Sequence, residues 1–137
     1  MKKETLKKIS RCKALQGISI AEVVRGEQFL KNLAAYMAAQ REDRKQIRAS
    51  YAAMKKLGGA KGYKLPSHAI DRVIDMTTED FAEEYLRVIT HKSDKPAAQR
   101  EYIFQLARQA YNLTVAQIVC DEFPELRDEL LPKSKEN

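Results

Sequence analysis

Apolar residues recur along this chain at intervals of three and four, which is the spacing of one face of an α-helix. The strict alternation of apolar and polar residues that marks a half-buried strand does not appear. Only five glycines and four prolines interrupt the chain, and they cluster, so most of it is free to form regular structure. The pattern predicts an all-α fold, a compact bundle of about five to seven helices forming a single domain over residues 1–137.

The first helix is predicted over residues 2–16. Its apolar stripe consists of Leu6, Ile9 and Cys12. Gly17 follows, and glycine is typical of a helix C-terminus because it adopts a left-handed conformation without steric cost. Ser19 and Glu22 then match a capping box, in which a hydroxyl and a carboxylate accept hydrogen bonds from backbone N–H groups and so begin the next helix.

A long helix over residues 20–57 is the next prediction, since this stretch contains no proline and a single glycine, Gly26. Its apolar spacing is interrupted at 40–46, where every residue is polar. Such a helix would be roughly 55 Å long and would protrude from a domain whose radius of gyration is about 14 Å. The sequence therefore leaves two forms open: a continuous, protruding helix, and a helix broken near 40–46.

Glycine, proline and capping residues divide the rest of the chain into shorter helices. Residues 58–66 contain three glycines and end in a proline, and are predicted to form a loop. Thr77 or Thr78 is placed to cap one helix, and Pro96 is placed to begin another. Pro124 is expected to end or restart the helix that precedes it.

The stretch around Asn112 is interpreted as a turn between two helices. Asn112 tolerates a left-handed conformation, and residues 114–117 match a second capping box. Residues 106–118 also contain the core and turn residues of a helix-turn-helix motif, with a spacing one residue longer than usual. The would-be recognition helix, residues 115–123, has two acidic residues and no Lys or Arg, so phosphates would repel it. A helical hairpin packed in the core is favoured over DNA readout.

Charge divides the chain into two unlike halves. Residues 1–64 have a net charge of +11 and residues 65–137 a net charge of −5, which together give the +6 of the whole chain. Because the sign changes at the glycine-rich loop, we divide the chain there. Its parts are a basic helical part (1–57), the loop (58–66), an acidic helical part (67–131) and a tail (132–137). A strongly basic half favours a polyanionic partner or contact with an acidic surface.

The candidate phosphate-binding residues are cations of the basic half. The first helix contributes Lys2, Lys3, Lys7, Lys8, Arg11 and Lys13. The long helix contributes Arg41, Arg44, Lys45 and Arg48, followed by Lys55 and Lys56. The group that begins at Arg41 lies on one helix face, and arginine forks match phosphate oxygens. The loop contributes Lys61 and Lys64. Its glycines would let backbone amides approach phosphates as well.

These residues predict a non-catalytic nucleic-acid-binding protein, or a subunit of a nucleoprotein complex, that contacts phosphates of DNA or RNA through its basic half. The alternative is a helical protein-interaction module, a dimer or an adaptor, that binds no nucleic acid. Its basic half would then meet an acidic protein surface, such as the 121–129 cluster of another copy in a homo-oligomer.

Other function classes find little support in the sequence. No apolar run approaches the roughly 20 residues that span a bilayer, and the basic N-terminus lacks the apolar segment of a signal peptide. Cys12 and Cys120 are far apart in sequence and are expected to be reduced thiols of a cytoplasmic protein. His68, Asp71 and Asp75 share a helix face but do not complete a metal site. We therefore predict no cofactor, no metal, no catalytic residue and no membrane contact.

Overall fold

A computed structural model describes residues 2–43, 45, 49 and 72–132 of the chain. Within these residues the fold is all-α, as predicted, and contains no strand. The helices are α1 (Lys3–Ser10), α2 (Ile20–Val24), α3 (Glu27–Glu42), α4 (Thr78–Ile89), α5 (Ala97–Glu122) and α6 (Arg127–Leu130). Two 3-10 turns, Lys13–Leu15 and Pro124–Leu126, follow α1 and α5. The second of these confirms that Pro124 lies at the end of a helix.

The main core is formed where α3, α4 and α5 pack together. Its fully buried side chains include Phe29, Leu33, Met37, Phe81, Tyr85, Ile103, Ala107 and Ala110. The rings of Phe29 and Tyr85 stack with centroids 6.4 Å apart. Each large side chain buried here stabilises the fold by about 1.5–3 kcal/mol relative to exposure, and these three helices supply most of the buried apolar side chains among the described residues.

The prediction of one helix from residue 20 is wrong at its start, because the chain breaks between α2 and α3. The Gly26 amide donates to the Val23 carbonyl at 3.0 Å, and Gly26 is then extended, with φ −74° and ψ 154°. A Cβ at this position would lie 3.1 Å from the Val23 carbonyl oxygen, closer than ordinary van der Waals contact. The glycine thus permits a tight turn that directs both Val24 and Phe29 into the core.

The other end of the long helix falls in the interval where the sequence left a break open. Helix α3 ends at Glu42, within 40–46, and Asp43 is its C-terminal cap. The predicted continuation to residue 57 lies mostly outside the described residues, as does the loop 58–66.

The predicted turn at Asn112 is wrong, because α5 is one continuous helix of 26 residues. At 1.5 Å per residue it is about 39 Å long. Thr114 does not cap a new helix; its hydroxyl donates to the Ala110 carbonyl one turn earlier, at 2.7 Å. This back-bonding is the alternative that threonine has to capping. The same continuity excludes the helical hairpin and the helix-turn-helix motif.

A hydrogen bond from Asn32 of α3 stabilises Thr114 within the helix. The Asn32 side-chain amide donates to Thr114 Oγ1 at 2.9 Å and to Gln117 Oε1 at 2.8 Å. Gln28 adds a hydrogen bond to Gln117 Oε1 at 2.9 Å. Asn32 and Thr114 are only 8% and 1% exposed, so leaving either unpaired would be costly. The network therefore fixes α3 against α5 in one register.

Predictions that depend on residues close in sequence agree better with the structure. The Ser19–Glu22 capping box is present, with Glu22 N donating to Ser19 Oγ at 3.1 Å. Gly17 is left-handed, with φ 75°. Thr77, rather than Thr78, caps α4 by accepting from the Asp80 amide at 3.1 Å. Pro96 lies at the N-cap of α5, one residue before its predicted place.

Helix α4 ends in a Schellman motif whose left-handed residue is a histidine. Lys92 N donates to Arg87 O at 2.8 Å and His91 N donates to Val88 O at 3.2 Å. His91 has φ 58°, the one non-glycine residue with positive φ among those described. Glycine usually fills this position, since a Cβ in the left-handed region costs roughly 1–2 kcal/mol. The helix thus ends on a left-handed residue that has a Cβ, which costs some local strain.

The Asn32–Thr114 contact generates a stability prediction. Thr114→Val keeps the shape of the side chain but removes the acceptor of Asn32, so we expect a loss of about 1–2 kcal/mol in the free energy of unfolding. Thr90→Val is the matched control, because Thr90 makes the same bond to the carbonyl four residues earlier but is exposed. It should change stability by less than about 0.5 kcal/mol. Urea unfolding followed by circular dichroism measures both, and equal losses would contradict a special role for the network.

Candidate nucleic-acid interface

Helix α1 and the 3-10 turn after it pack against the C-terminal part of the fold, and the predicted apolar stripe is correct at Ile9 and Cys12 but wrong at Leu6. Thr5 is 2% exposed and Cys12 is fully buried, whereas Leu6, predicted on the apolar stripe, is 52% exposed. Ile9 packs at the edge of a second apolar cluster made by Cys12, Val119, Cys120 and Leu126. Helix α1 is therefore oriented with Thr5 and Ile9 inward, and Cys12, just after the end of the helix, is buried on the same side.

This orientation leaves three cations in a row on the outer side of α1. Lys3, Lys7 and Arg11 follow one another at intervals of four residues, all are exposed, and none makes an ion pair within the part of the chain that the structure describes. Like charges at this spacing destabilise a helix by a few tenths of a kcal/mol per pair. We call these residues the outer row. Lys2 and Lys13 are exposed at its two ends.

Carboxylates of the acidic half hold the inner side of α1. Glu125 forms an ion pair with Lys8 Nζ at 3.0 Å, and Glu129 Oε2 accepts from the Thr5 hydroxyl at 2.7 Å. Both oxygens of Glu122 accept from the Lys13 amide, at 3.0 and 3.1 Å. We call Glu122, Glu125 and Glu129 the acidic strip. The opposite charges of the two halves thus meet within one chain, where the interaction-module alternative had placed them between copies.

The contacts of the acidic strip favour its ionised form. The hydrogen bond from Thr5 lowers the pKa of Glu129. The pKa of Glu125 is lowered first by a hydrogen bond from the backbone amide of Glu125 itself and then by the hydrogen bond from Lys8. Both carboxylates are at the surface, so each contact is modest on its own and is weakened by salt. Together they fix where the basic helix lies and which of its faces stays exposed.

The second group of predicted cations is only partly within the described residues. Arg41 is exposed, but its guanidinium donates to two backbone carbonyls, Ile74 O at 3.0 Å and Met76 O at 3.2 Å. It thereby ties α3 to the segment that precedes α4. Lys45 is exposed. Outside the described residues lie Arg44, Arg48, Lys55, Lys56, Lys61 and Lys64.

The two cysteines, far apart in sequence, meet in the second apolar cluster. Cys12 and Cys120 are both buried and neither is in a disulfide. Burial raises the pKa of the Cys120 thiol, which disfavours the nucleophilic thiolate. Cys120 therefore acts as a small apolar side chain, whereas the Cys12 thiol also donates to Glu122 Oε1 at 3.9 Å. Together they join the segment that follows α1 to α5.

The remaining features concern metal ligands and membrane-spanning helices among the described residues. No group of three or more His, Cys, Asp or Glu side chains among them is arranged to hold a metal ion. His68 and Asp71 lie outside this part of the chain. None of the helices in the described ranges is both long and apolar enough to cross a membrane.

The docking of α1 predicts a pH dependence of stability. Since the pKa values of Glu125 and Glu129 are lower in the folded chain, their contribution is complete above the unfolded pKa of about 4.3 and is lost as pH falls through the folded values. The urea midpoint should therefore fall more steeply on acidification in the wild type than in the E125Q/E129Q double variant. The E42Q/D43N variant, which changes two exposed carboxyls of α3, should keep the wild-type slope. Equal slopes in all three proteins would contradict the assignment.

Comparison with known proteins identifies no relative. No family model, no curated protein and no solved structure matches this chain. Within the described ranges, the outer row places three exposed cations side by side without an ion pair.

Proposed function

We propose that this protein binds nucleic acid without catalysing a reaction, and that the outer row of α1 contacts the phosphates. The observation that carries the proposal is the placement of Lys3, Lys7 and Arg11: exposed, aligned, and facing away from the carboxylates that pair with the inner side of the same helix. A phosphate chain would relieve the repulsion among these cations and release its own counterions.

The sequence adds charge in the same half of the chain. Residues 44–64 contain seven Lys or Arg and no Asp or Glu. This segment extends the predicted contact set through Arg44, Lys45, Arg48, Lys55, Lys56, Lys61 and Lys64. Contacts of this kind bind the phosphate backbone and carry no base sequence directly, so DNA and RNA are both suitable ligands. Arg41 has a smaller part in the proposal, because its guanidinium already binds two carbonyls.

The interaction-module alternative loses its clearest partner. In that hypothesis the basic half met the 121–129 cluster of another copy, but Glu122, Glu125 and Glu129 contact the N-terminal segment of their own chain. The variant K3Q/K7Q/R11Q distinguishes the interaction-module alternative from nucleic-acid binding.

The variant K3Q/K7Q/R11Q tests the proposal. Anisotropy of labelled duplex DNA, single-stranded DNA and RNA would be measured at several salt concentrations. For duplex DNA, loss of three phosphate contacts should make the slope of log K against log salt shallower by about 2.7. At about 0.15 M salt the affinity should fall roughly 100-fold, if the intercept at 1 M is unchanged.

The matched control is K31Q/R72Q/K92Q, which removes three exposed cations elsewhere and has the same net charge. It should bind nearly as the wild type does. Equal losses in both variants would mean that net charge, and not α1, determines binding. If the α1 variant keeps its affinity but changes its sedimentation, the outer row is a protein contact and the alternative is correct.

A further inference from the structure

A groove of about 600 Å³ lies beside the turn that joins α4 to α5, remote in sequence from α1. Its volume is within the range of small-molecule sites. One wall is apolar, with Val88, Ile89, Ala97 and Phe104; the remaining lining residues are His91, Arg100 and Glu101. An apolar wall beside two groups that can carry positive charge suits a ligand that is flat and apolar at one end and anionic at the other.

His91 is the first reason to treat this groove as a binding site. It is the left-handed residue of the Schellman motif, where glycine would relieve the strain, and it lines the groove. Ser93, in the same turn, donates to the buried carboxylate of Glu84 at 2.7 Å. His91 thus belongs to a turn that is held in place by a hydrogen bond to a buried carboxylate.

The second reason is the way in which Phe104 is held. Its ring lies 6.2 Å from that of Tyr85, which is fully buried in the core. On its helix, Arg108 lies over the Phe104 ring at 5.9 Å and over the Tyr111 ring at 5.5 Å. Phe104 is therefore fixed before any ligand binds, so a partner packing against it would not have to order it.

Spacing along α5 places positive charge on both sides of this aromatic wall. Arg100, Phe104 and Arg108 follow one another at intervals of four residues, so they share one helix face. Glu101 adds an acceptor, and one of its oxygens accepts from Gln105 at 2.9 Å. This face can bind an anion, an aromatic ring and a hydroxyl or amino donor together.

We propose that the groove binds a nucleoside phosphate. The base packs against Phe104 and the aliphatic side chains, the phosphate pairs with Arg100 and His91, and Glu101 accepts from the sugar or the base. The ligand is either a free nucleotide or one unit of a single strand. This inference does not rest on the outer row of α1, since the two surfaces share no residue.

The first test titrates the full chain with adenosine 5′-monophosphate (AMP) while backbone amides are observed by NMR. We expect a dissociation constant of about 0.1–1 mM and shifts concentrated at residues 88–104. Arg100→Gln should weaken AMP binding at least tenfold, about the loss of one charge-assisted contact. Arg72→Gln, an exposed arginine outside the groove, should leave it unchanged.

The variant His91→Gly is expected to raise the melting temperature and to lower the affinity for AMP. Relief of the left-handed strain should raise the melting temperature by about 3–7 °C, while loss of the imidazole lowers the affinity for AMP about threefold to tenfold. A purely structural histidine would move the melting temperature and leave the affinity alone. That result would remove His91 from the site.

An oligoadenylate distinguishes the two sources of the ligand, a single strand and a free nucleotide. An oligoadenylate that binds at least about tenfold tighter than AMP, and is displaced by it, indicates a single strand; equal affinities indicate a free nucleotide. The K3Q/K7Q/R11Q variant should bind AMP normally, and Arg100→Gln should bind duplex DNA normally, so each proposal can fail alone. The groove proposal is wrong if AMP at about 10 mM shifts no amide at 88–104. It is also wrong if inorganic phosphate alone binds as well as AMP does, because the apolar wall then plays no part.

Discussion

The structure depends on α5 remaining a single helix across the point where its sequence most resembles a turn. The hydrogen bonds from Asn32 to Thr114 and Gln117 hold this point against α3 from within the protein. The first half of α5 packs in the main core, and its last turns carry the second apolar cluster. Without this continuity the two clusters would have no common element, and α1 would have no platform on which to dock.

That platform determines which charges face solvent. Helix α1 carries cations around much of its circumference, and in an isolated helix all of them would face solvent. Docking through Thr5 and Cys12 places Lys8 against the carboxylate of Glu125 and turns the outer row away. Asymmetry of the surface thus arises from packing and a small number of hydrogen bonds, while the sequence supplies only an excess of positive charge. The groove beside Phe104 follows from the same helix at its other end.

Local features were predictable from sequence because their partners lie within one turn. The Ser19–Glu22 box and the Thr77 cap are of this kind. Thr114 was misread because threonine can either cap a helix or bond back to the preceding turn, and Asn32, 82 residues away, decides between them. The orientation of α1 likewise depends on distant carboxylates. Composition indicated which half bears the cations, but it could not indicate which of them remain free.

The contact between Thr5 and Glu129 joins residues 124 positions apart and so closes a very long loop. The entropy cost of closure rises slowly with loop length, so stability suffers little, but such a contact forms late in folding. During synthesis the residues of α1 are made well before those of the acidic strip. Until the acidic strip is in place, the cations on both sides of α1 are accessible, so the division into an exposed outer row and a paired inner side is a property of the completed fold.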